Sequence, residues 1–173
     1  MIGRLIQRYG PDQTPPISVN VSRVDLFNPN LVALISDIAD RACVPRRLLA
    51  LEITESAYAE APTLMEKRVR DLRAAGFSVH MDDFGSAYSS LNMLKEIEVD
   101  LLKLDMRFLS GSDHEDRTRG ILMAIFQMAR ILKLSVVAEG VETKEQADML
   151  RTLGCDAAQG YYFSKPIDEE AYM

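Results

Sequence analysis

The feature that most constrains the fold of this chain is a regular alternation of short apolar runs with helix-like segments. Each run is rich in β-branched and other apolar residues, which predicts a strand, and each intervening segment carries apolar residues at helical spacing. The predicted strands are 17–22, 48–55, 78–83, 101–105, 135–140 and 157–163. Alternating β and α segments with apolar strands indicate a parallel sheet covered by helices.

Polar residues recur at or near the C-terminal end of every predicted strand. In chain order they are Asn20, Glu52 with Glu55, Asp82 with Asp83, Lys103 with Asp105, Glu139 with Glu142, and Gln159. In a (β/α) barrel these ends converge on one mouth. In an open, doubly wound sheet they would spread along an edge, and only those near a switch point would meet. Since every strand shows the pattern, it favours the barrel, with the doubly wound sheet as the alternative.

The strand-end side chains are almost all oxygen donors, and none is a histidine or a cysteine. Such a set selects Mg²⁺, Mn²⁺ or Ca²⁺. Adjacent carboxylates such as Asp82 and Asp83 raise each other's pKa unless a cation neutralises them. The number of carboxylates exceeds the need of one ion, and two metals about 3.5–4 Å apart are typical of in-line phosphoryl displacement by water. Lys103 would orient the water or stabilise charge, or else pair with a neighbouring acid. Each acid taken singly is also compatible with a helix cap or a solvated loop.

Composition narrows the class of protein. The 173 residues suggest one domain, and a net charge of −6 with a pI of about 5.0 argues against a surface that neutralises nucleic-acid phosphates. The two cysteines, Cys43 and Cys155, have no metal-ligand spacing and point to a reducing compartment. No apolar stretch reaches the roughly 18 residues of a membrane span, and the N-terminus lacks the apolar core of a signal peptide.

Five ordered motifs resemble the EAL-domain phosphodiesterases of bacteria. They are residues 51–56 (LEITES), 82–90 (DDFGSAYSS), 103–105 (KLD), 138–143 (AEGVET) and 159–163 (QGYYF). The resemblance implies a TIM-like (β/α) barrel of the EAL type, hydrolysis of cyclic di-GMP to linear pGpG, and a cytoplasmic location without DNA as a partner. It also implies Mg²⁺ or Mn²⁺ as cofactor, with Ca²⁺ as an inhibitor.

The same resemblance assigns roles to individual residues. The metal ligands would be Asn20, Glu52, Asp82, Asp105 and, at a second metal, Asp83. Three residues would take part in catalysis. Glu139 would be the general base or a metal ligand, Lys103 would orient the water, and Glu55 would hold the loop after Asp83. The residues supporting substrate or water would be Gln159, Glu142, Phe84, Gly85 and Ser86.

The chain departs from the family pattern in two respects. Ala87 stands where the family loop usually has glycine, and at a positive φ it would be strained by about 1 kcal/mol. The chain also has six predicted strands and 173 residues, where a barrel has eight strands and about 250 residues. We therefore predict a single EAL domain over residues 1–173 that is incomplete because its N-terminal strands are missing. Those strands would carry the Glu-Ala-Leu segment, with a metal-binding glutamate and a substrate-contacting arginine.

Two expectations follow from an incomplete barrel. Activity should be weak or absent, and the alternative to an enzyme is a non-catalytic module that acts by binding the nucleotide or another protein. Exposed sheet edges seek partners. We therefore expect a homo-oligomer, such as a dimer, through the barrel edges or the loop after Asp83.

Overall fold

The computed structural model describes residues 1–85, 90–106 and 115–172. Parallel strands form one sheet whose spatial order is the order of the chain. The strands are β1 (Ile17–Asn20), β2 (Leu49–Thr54), β3 (Ser78–Phe84), β4 (Leu101–Asp105), β5 (Ser135–Glu139) and β6 (Ala157–Ala158). The sheet curls into a half-barrel. A doubly wound sheet reverses its strand order at a switch point. Because no reversal occurs along the described sheet, the barrel prediction is confirmed, and the barrel is incomplete.

Helices connect the strands. They are α1 (Ile2–Tyr9), α2 (Arg23–Leu26), α3 (Leu31–Arg41), α4 (Glu55–Glu60), α5 (Pro62–Ala74), α6 (Ser90–Glu96), α7 (Glu115–Leu132), α8 (Lys144–Leu153) and α9 (Glu169–Tyr172), with a 3₁₀ turn at Arg46–Leu48. Local sequence explains several boundaries. Pro62 opens α5, where a missing N–H costs nothing. The Thr143 hydroxyl accepts the backbone N–H of Gln146 and caps α8, which ends at the left-handed Gly154.

The hydrophobic core lies between the sheet and the helices. Along β3, Val79 and Met81 are fully buried, whereas Ser78, His80 and Asp82 alternate with them and are partly exposed. The same alternation in β4 buries Leu102 and Leu104 and leaves Lys103 and Asp105 on the opposite face. Since successive strand residues point to opposite faces, the concave face of the half-barrel is polar.

Some predicted boundaries are wrong. The first strand stops at Asn20 because Ser22 caps α2, and its hydroxyl accepts the N–H of Asp25. Glu55 opens α4 instead of ending β2. The last strand covers only Ala157–Ala158, not 157–163, because the backbone of Gly160 turns so close to Val141 that a Cβ there would lie 2.2 Å from the Val141 carbonyl oxygen.

Candidate functional site

The ammonium group of Lys103 lies among three carboxylates. Its Nζ is 2.9 Å from Glu52 Oε1, 3.2 Å from Asp82 Oδ1 and 2.8 Å from Glu139 Oε1. All four side chains are largely buried, with 7–18% of their surface exposed. One positive charge therefore serves three acidic groups, and the cluster carries an excess of negative charge. We call these four residues the Lys103 cluster.

Strand order and register bring the cluster together. Lys103 is on β4, Asp82 and Glu139 are on the flanking strands β3 and β5, and Glu52 is on β2, beyond β3. All of these side chains lie on the face opposite the core residues. Because the strands are parallel, their C-terminal halves lie side by side, and residues far apart in sequence converge. Long-range pairing thus assembles the cluster.

Burial and neighbouring charges shift the pKa of two members. Burial raises the pKa of Glu139, and the nearby charges of Asp82 and Glu52 add to that rise, while the contact with Lys103 opposes it. Burial alone would lower the pKa of Lys103, but its hydrogen bonds with Glu139 and Glu52 raise that pKa above its ordinary value. Lys103 therefore stays charged, and Glu139 is a stronger base than an exposed glutamate.

Gln159 fixes the orientation of the Glu139 carboxylate. Its side-chain amide donates a hydrogen bond to Glu139 Oε1, the oxygen that also contacts Lys103. Its backbone N–H donates to the carbonyl of Ala138 at 2.8 Å, which anchors the residue just after β6. An ammonium group and an amide thus hold the same oxygen of Glu139.

The Asp82-Asp83 pair lies at an irregularity of β3. His80 and Met81 pair with Leu101 and Leu102, but the next pair is Phe84 with Leu104, so one extra residue is inserted into β3. Asp83 takes a positive φ of 55°, which Asp tolerates better than most residues, and its N–H donates to Asp82 Oδ1 at 3.0 Å. Such bulges redirect side chains, and here Asp82 joins the cluster while Asp83 is exposed.

Glu55 supports the turn after this bulge. Its side chain is completely buried, and Oε2 accepts the N–H of Gly85 at 3.1 Å. The contact links the start of α4 to the end of β3. It is compatible with the predicted holding role, which concerns a loop whose residues 86–89 lie outside the described part of the chain.

A cavity of about 670 Å³ adjoins the Lys103 cluster and shares Glu139 with it. Its lining includes Asp105, Glu142, Gln159, Tyr161, Lys165 and Tyr172. The volume lies within the range typical of small-molecule sites. The last three of these residues were not predicted from the sequence. For Tyr161 and Lys165 the available signal in the sequence was the aromatic run 161–163 followed two residues later by a lysine, whereas Tyr172 lies outside that run. The structure leaves the three aromatic residues of the run 42–62% exposed, as is typical of a binding surface.

The predicted site residues fall into distinct groups. Glu52, Asp82, Lys103, Glu139 and Gln159 come together, and Asp105 and Glu142 line the adjoining cavity. Asn20 pairs in register with Glu52 and is exposed. Phe84 is buried in the core. Ser86 and Ala87 lie outside the described residues. The roles of these residues stay predictions.

The donor chemistry of the cluster fits a hard divalent cation, since carboxylate oxygens from three strands surround one positive charge. The present geometry is that of an ammonium site. Within residues 1–85, 90–106 and 115–172, no three His, Cys, Asp or Glu side chains are grouped as metal ligands. A metal ion at the point where these three oxygens converge would take the place of the Lys103 ammonium group.

Comparison with known sequence families gives one decisive match. The profile of the EAL domain matches residues 2–166, which is nearly the whole chain. The chain belongs to the EAL domain family. The resemblance seen in the five motifs is thereby confirmed.

Curated relatives of this EAL domain are longer proteins. The chain is 39% identical to the oxygen sensor protein DosP of Escherichia coli over 156 residues, which is 90% of the chain and 20% of DosP. It is 35% identical to the probable cyclic di-GMP phosphodiesterase PdeB of the same organism over 157 residues, which is 91% of the chain and 30% of PdeB. The chain thus spans less than a third of either relative.

Solved structures show the same fold. The PaMucR phosphodiesterase in its c-di-GMP complex superposes with a TM-score of 0.88 at 32% identity, covering 99% of this chain and 69% of that one. The EAL domain of Mycobacterium smegmatis DcpA superposes with a TM-score of 0.89 at 33% identity, covering 99% and 76%. In the described part of this EAL domain, no helix combines the length and hydropathy needed to cross a membrane.

Proposed function

We propose that this EAL domain hydrolyses cyclic di-GMP to linear pGpG by metal-assisted cleavage of a phosphodiester. The observation that carries the proposal is the Lys103 cluster, which places a base of raised pKa and two further carboxylates beside a cavity of ligand size. The PaMucR phosphodiesterase complex with c-di-GMP and the relative PdeB support the same substrate.

The metal ligands in this proposal are Glu52 and Asp82 of the cluster, together with Asn20, Asp105 and Asp83. Mg²⁺ or Mn²⁺, with two ions in the complete domain, would supply Lewis-acid activation of the phosphodiester and of the attacking water. The hard oxygen donors of these side chains suit either ion. Asp105 pairs in register with Glu139 and lines the cavity, so the metal site and the substrate would meet there.

Glu139 is the proposed general base. A base works best when its pKa approaches the working pH, and burial moves the pKa of Glu139 in that direction. Gln159 donates a hydrogen bond to one carboxylate oxygen and so orients the side chain. Lys103 contacts the same oxygen, and in this proposal it orients the water that attacks phosphorus.

The cavity has the chemistry expected of a nucleotide site. Tyr161 and Tyr172 offer aromatic faces on which a base could stack, and Lys165 adds a positive charge for a phosphate. Asp105 and Glu142 add carboxylates that accept hydrogen bonds from a purine or bind through a metal ion. A cyclic dinucleotide also occurs in the complex of the structural neighbour PaMucR.

A second candidate function is a non-catalytic module that binds the nucleotide or a protein. The observation that favours it is the occupation of the carboxylate site by Lys103, with no metal-ligand grouping in the described residues. The sequence also contains no Glu-Ala-Leu segment. We therefore expect residues 1–173 alone to be weakly active or inactive.

Under either candidate function, we propose that the domain works in the bacterial cytoplasm and that DNA is not a partner.

The test measures nucleotide products. The protein is incubated with cyclic di-GMP and Mn²⁺ and the products are separated by chromatography, with the PaMucR phosphodiesterase as the reference enzyme. We expect slow formation of pGpG by this chain relative to the reference. Glu139→Gln should lower the rate of this chain by about 100-fold or more, whereas Glu145→Gln on exposed α8 serves as the matched control.

The outcomes separate the two candidate functions. If the protein binds cyclic di-GMP but forms no pGpG with Mn²⁺ or Mg²⁺, the non-catalytic module is the better description. Rapid pGpG formation by residues 1–173 would show that the expectation of weak activity is wrong. Equal losses in Glu139→Gln and Glu145→Gln would remove Glu139 from the role of base.

A further inference from the structure

In the Lys103 cluster, the single positive charge of Lys103 offsets the negative charges of three carboxylates. Glu52, Asp82 and Glu139 come from three strands, and their side chains are only 7–18% exposed. Partly buried carboxylates repel each other, and the cost grows as water is excluded. Lys103 contacts all three at 2.8–3.2 Å, so its charge holds them at one place.

An ammonium group and a divalent metal ion compete for the same oxygens. Mg²⁺ binds carboxylate oxygens at about 2.0–2.1 Å, so it would draw the donors closer together than the present contacts do. The oxygens of Glu52, Asp82 and Glu139 already converge on one point, which is Lys103 Nζ. A metal ion at the point where these oxygens converge therefore competes with the ammonium group for them and shifts it from its central position.

We propose that Lys103 is an internal counter-ion that occupies the carboxylate site in the metal-free protein and yields it when a divalent metal binds. The inference rests on the proposed function, since it concerns the same metal site. It adds a role that precedes the reaction: before a metal binds, Lys103 keeps the three carboxylates together, and it lowers their affinity for metal. Lys103 is in this respect a positioning residue for Glu52, Asp82 and Glu139.

If Lys103 is an internal counter-ion, its removal should lower the stability of the metal-free protein and raise its affinity for metal. Without Lys103, the metal-free protein should be less stable, because three carboxylates are left without their shared cation. The metal should bind more tightly, because Lys103 repels it. A divalent ion and an ammonium group about 4 Å apart repel each other by enough to weaken metal binding more than about tenfold, even at the dielectric constant of water. A purely structural lysine would lower stability and leave metal affinity unchanged or weaker.

The experiment measures Mn²⁺ binding by calorimetry and thermal unfolding with and without Mn²⁺. The variants are Lys103→Met, which removes the charge, Lys103→Gln, which keeps a hydrogen-bond donor, and Lys103→Arg, which keeps the charge. Lys95→Met on the exposed side of α6 is the matched control, since among the described residues the ion pair of Lys95 is with Glu96.

We expect both neutral variants to have a lower Tm without metal, a larger rise of Tm with Mn²⁺ and an Mn²⁺ Kd at least about tenfold lower than wild type. Lys103→Arg and Lys95→Met should bind Mn²⁺ within about threefold of wild type. If Lys103→Met is unfolded without metal, recovery of its circular dichroism on addition of Mn²⁺ supports the proposal, and Lys103→Gln supplies the Kd.

Two results would overturn the proposal. The first is an unchanged or higher Mn²⁺ Kd in folded Lys103→Gln. The second is the absence of Mn²⁺ binding in every variant, which would overturn the metal-dependent function as well. If the wild type binds Mn²⁺ and the neutral variants bind it no more tightly, the counter-ion role alone is wrong. The proposed function is then unaffected. Gain of Mn²⁺ binding only in the neutral variants supports the counter-ion role.

Discussion

Single residues in this domain combine burial with polarity, and Glu55 shows the consequence most clearly. Its side chain is fully buried at the start of α4, yet it accepts the N–H of Gly85 from the far end of β3. A carboxylate is costly to bury unless its oxygens are hydrogen-bonded. Its contact with the turn after Asp83 therefore couples the stability of the fold to the shape of the proposed metal site.

We predict that Glu55→Ala lowers the free energy of unfolding by about 1–3 kcal/mol, because the Gly85 N–H loses its acceptor. The measurement is urea denaturation followed by circular dichroism. Glu60→Ala on the same helix is the control, and it should cost less than about 1 kcal/mol, since the ion pair that Glu60 forms with Arg23 is exposed. Similar losses in both variants would contradict the structural role of Glu55.

Elements in this fold are shaped by close approaches that local propensity does not reveal. Strand β6 is two residues long because the chain turns at Gly160 against the backbone of Val141. The Val141 N–H donates to the Gln159 carbonyl, and the Tyr162 N–H donates to the Val141 carbonyl. These contacts place Gln159 beside Glu139 and Tyr161 in the cavity wall.

We predict that Gly160→Ala lowers the free energy of unfolding by about 1–3 kcal/mol and weakens ligand binding at the cavity, because the added Cβ would lie 2.2 Å from Val141 O. Gly120→Ala is the matched control. Its Cβ would meet nothing within 4 Å, and inside helix α7 the change should stabilise the protein by about 0.5–1 kcal/mol. Thermal unfolding of both variants gives the comparison, and a stable Gly160→Ala would contradict the role of the close approach.

The whole molecule is a half-barrel, and its sheet has two edges. In the described sheet, β1 pairs only with β2, and β6 pairs only with β5. Unpaired strand edges are templates for further pairing. In β1, Val19 is 46% exposed, so that edge combines free backbone groups with apolar surface. We keep the prediction that residues 1–173 self-associate through an edge.

We predict that light scattering coupled to size-exclusion chromatography shows a dimer or a larger species of residues 1–173. Val19→Lys should shift the protein toward the monomer, because a charged side chain on an edge strand disfavours pairing. Val24→Lys is the control, since Val24 is 76% exposed but belongs to α2 and not to the sheet. A wild-type chain that stays monomeric over the accessible concentration range would contradict the prediction.

Periodicity in the sequence was enough to predict the parallel sheet, most of its strands and the strand-end acids. Side-chain alternation in strands and helices is local, so it can be read from neighbouring residues. The predicted positions of the strand ends were less accurate. Ser22 and Glu55 belong to helices, because hydrogen bonds that close a helix compete with the extension of the strand.

The sequence by itself determined the fold class, the family and the identity of the polar residues at the strand ends. Only the tertiary structure decided that Lys103 contacts three carboxylates at once, that a bulge separates Asp82 from Asp83, and that Tyr161 and Tyr172 line the adjoining cavity. The physical reason is distance along the chain. Strand register and the close approach of Gly160 to Val141 depend on residues far apart in sequence, which meet only when the sheet curls.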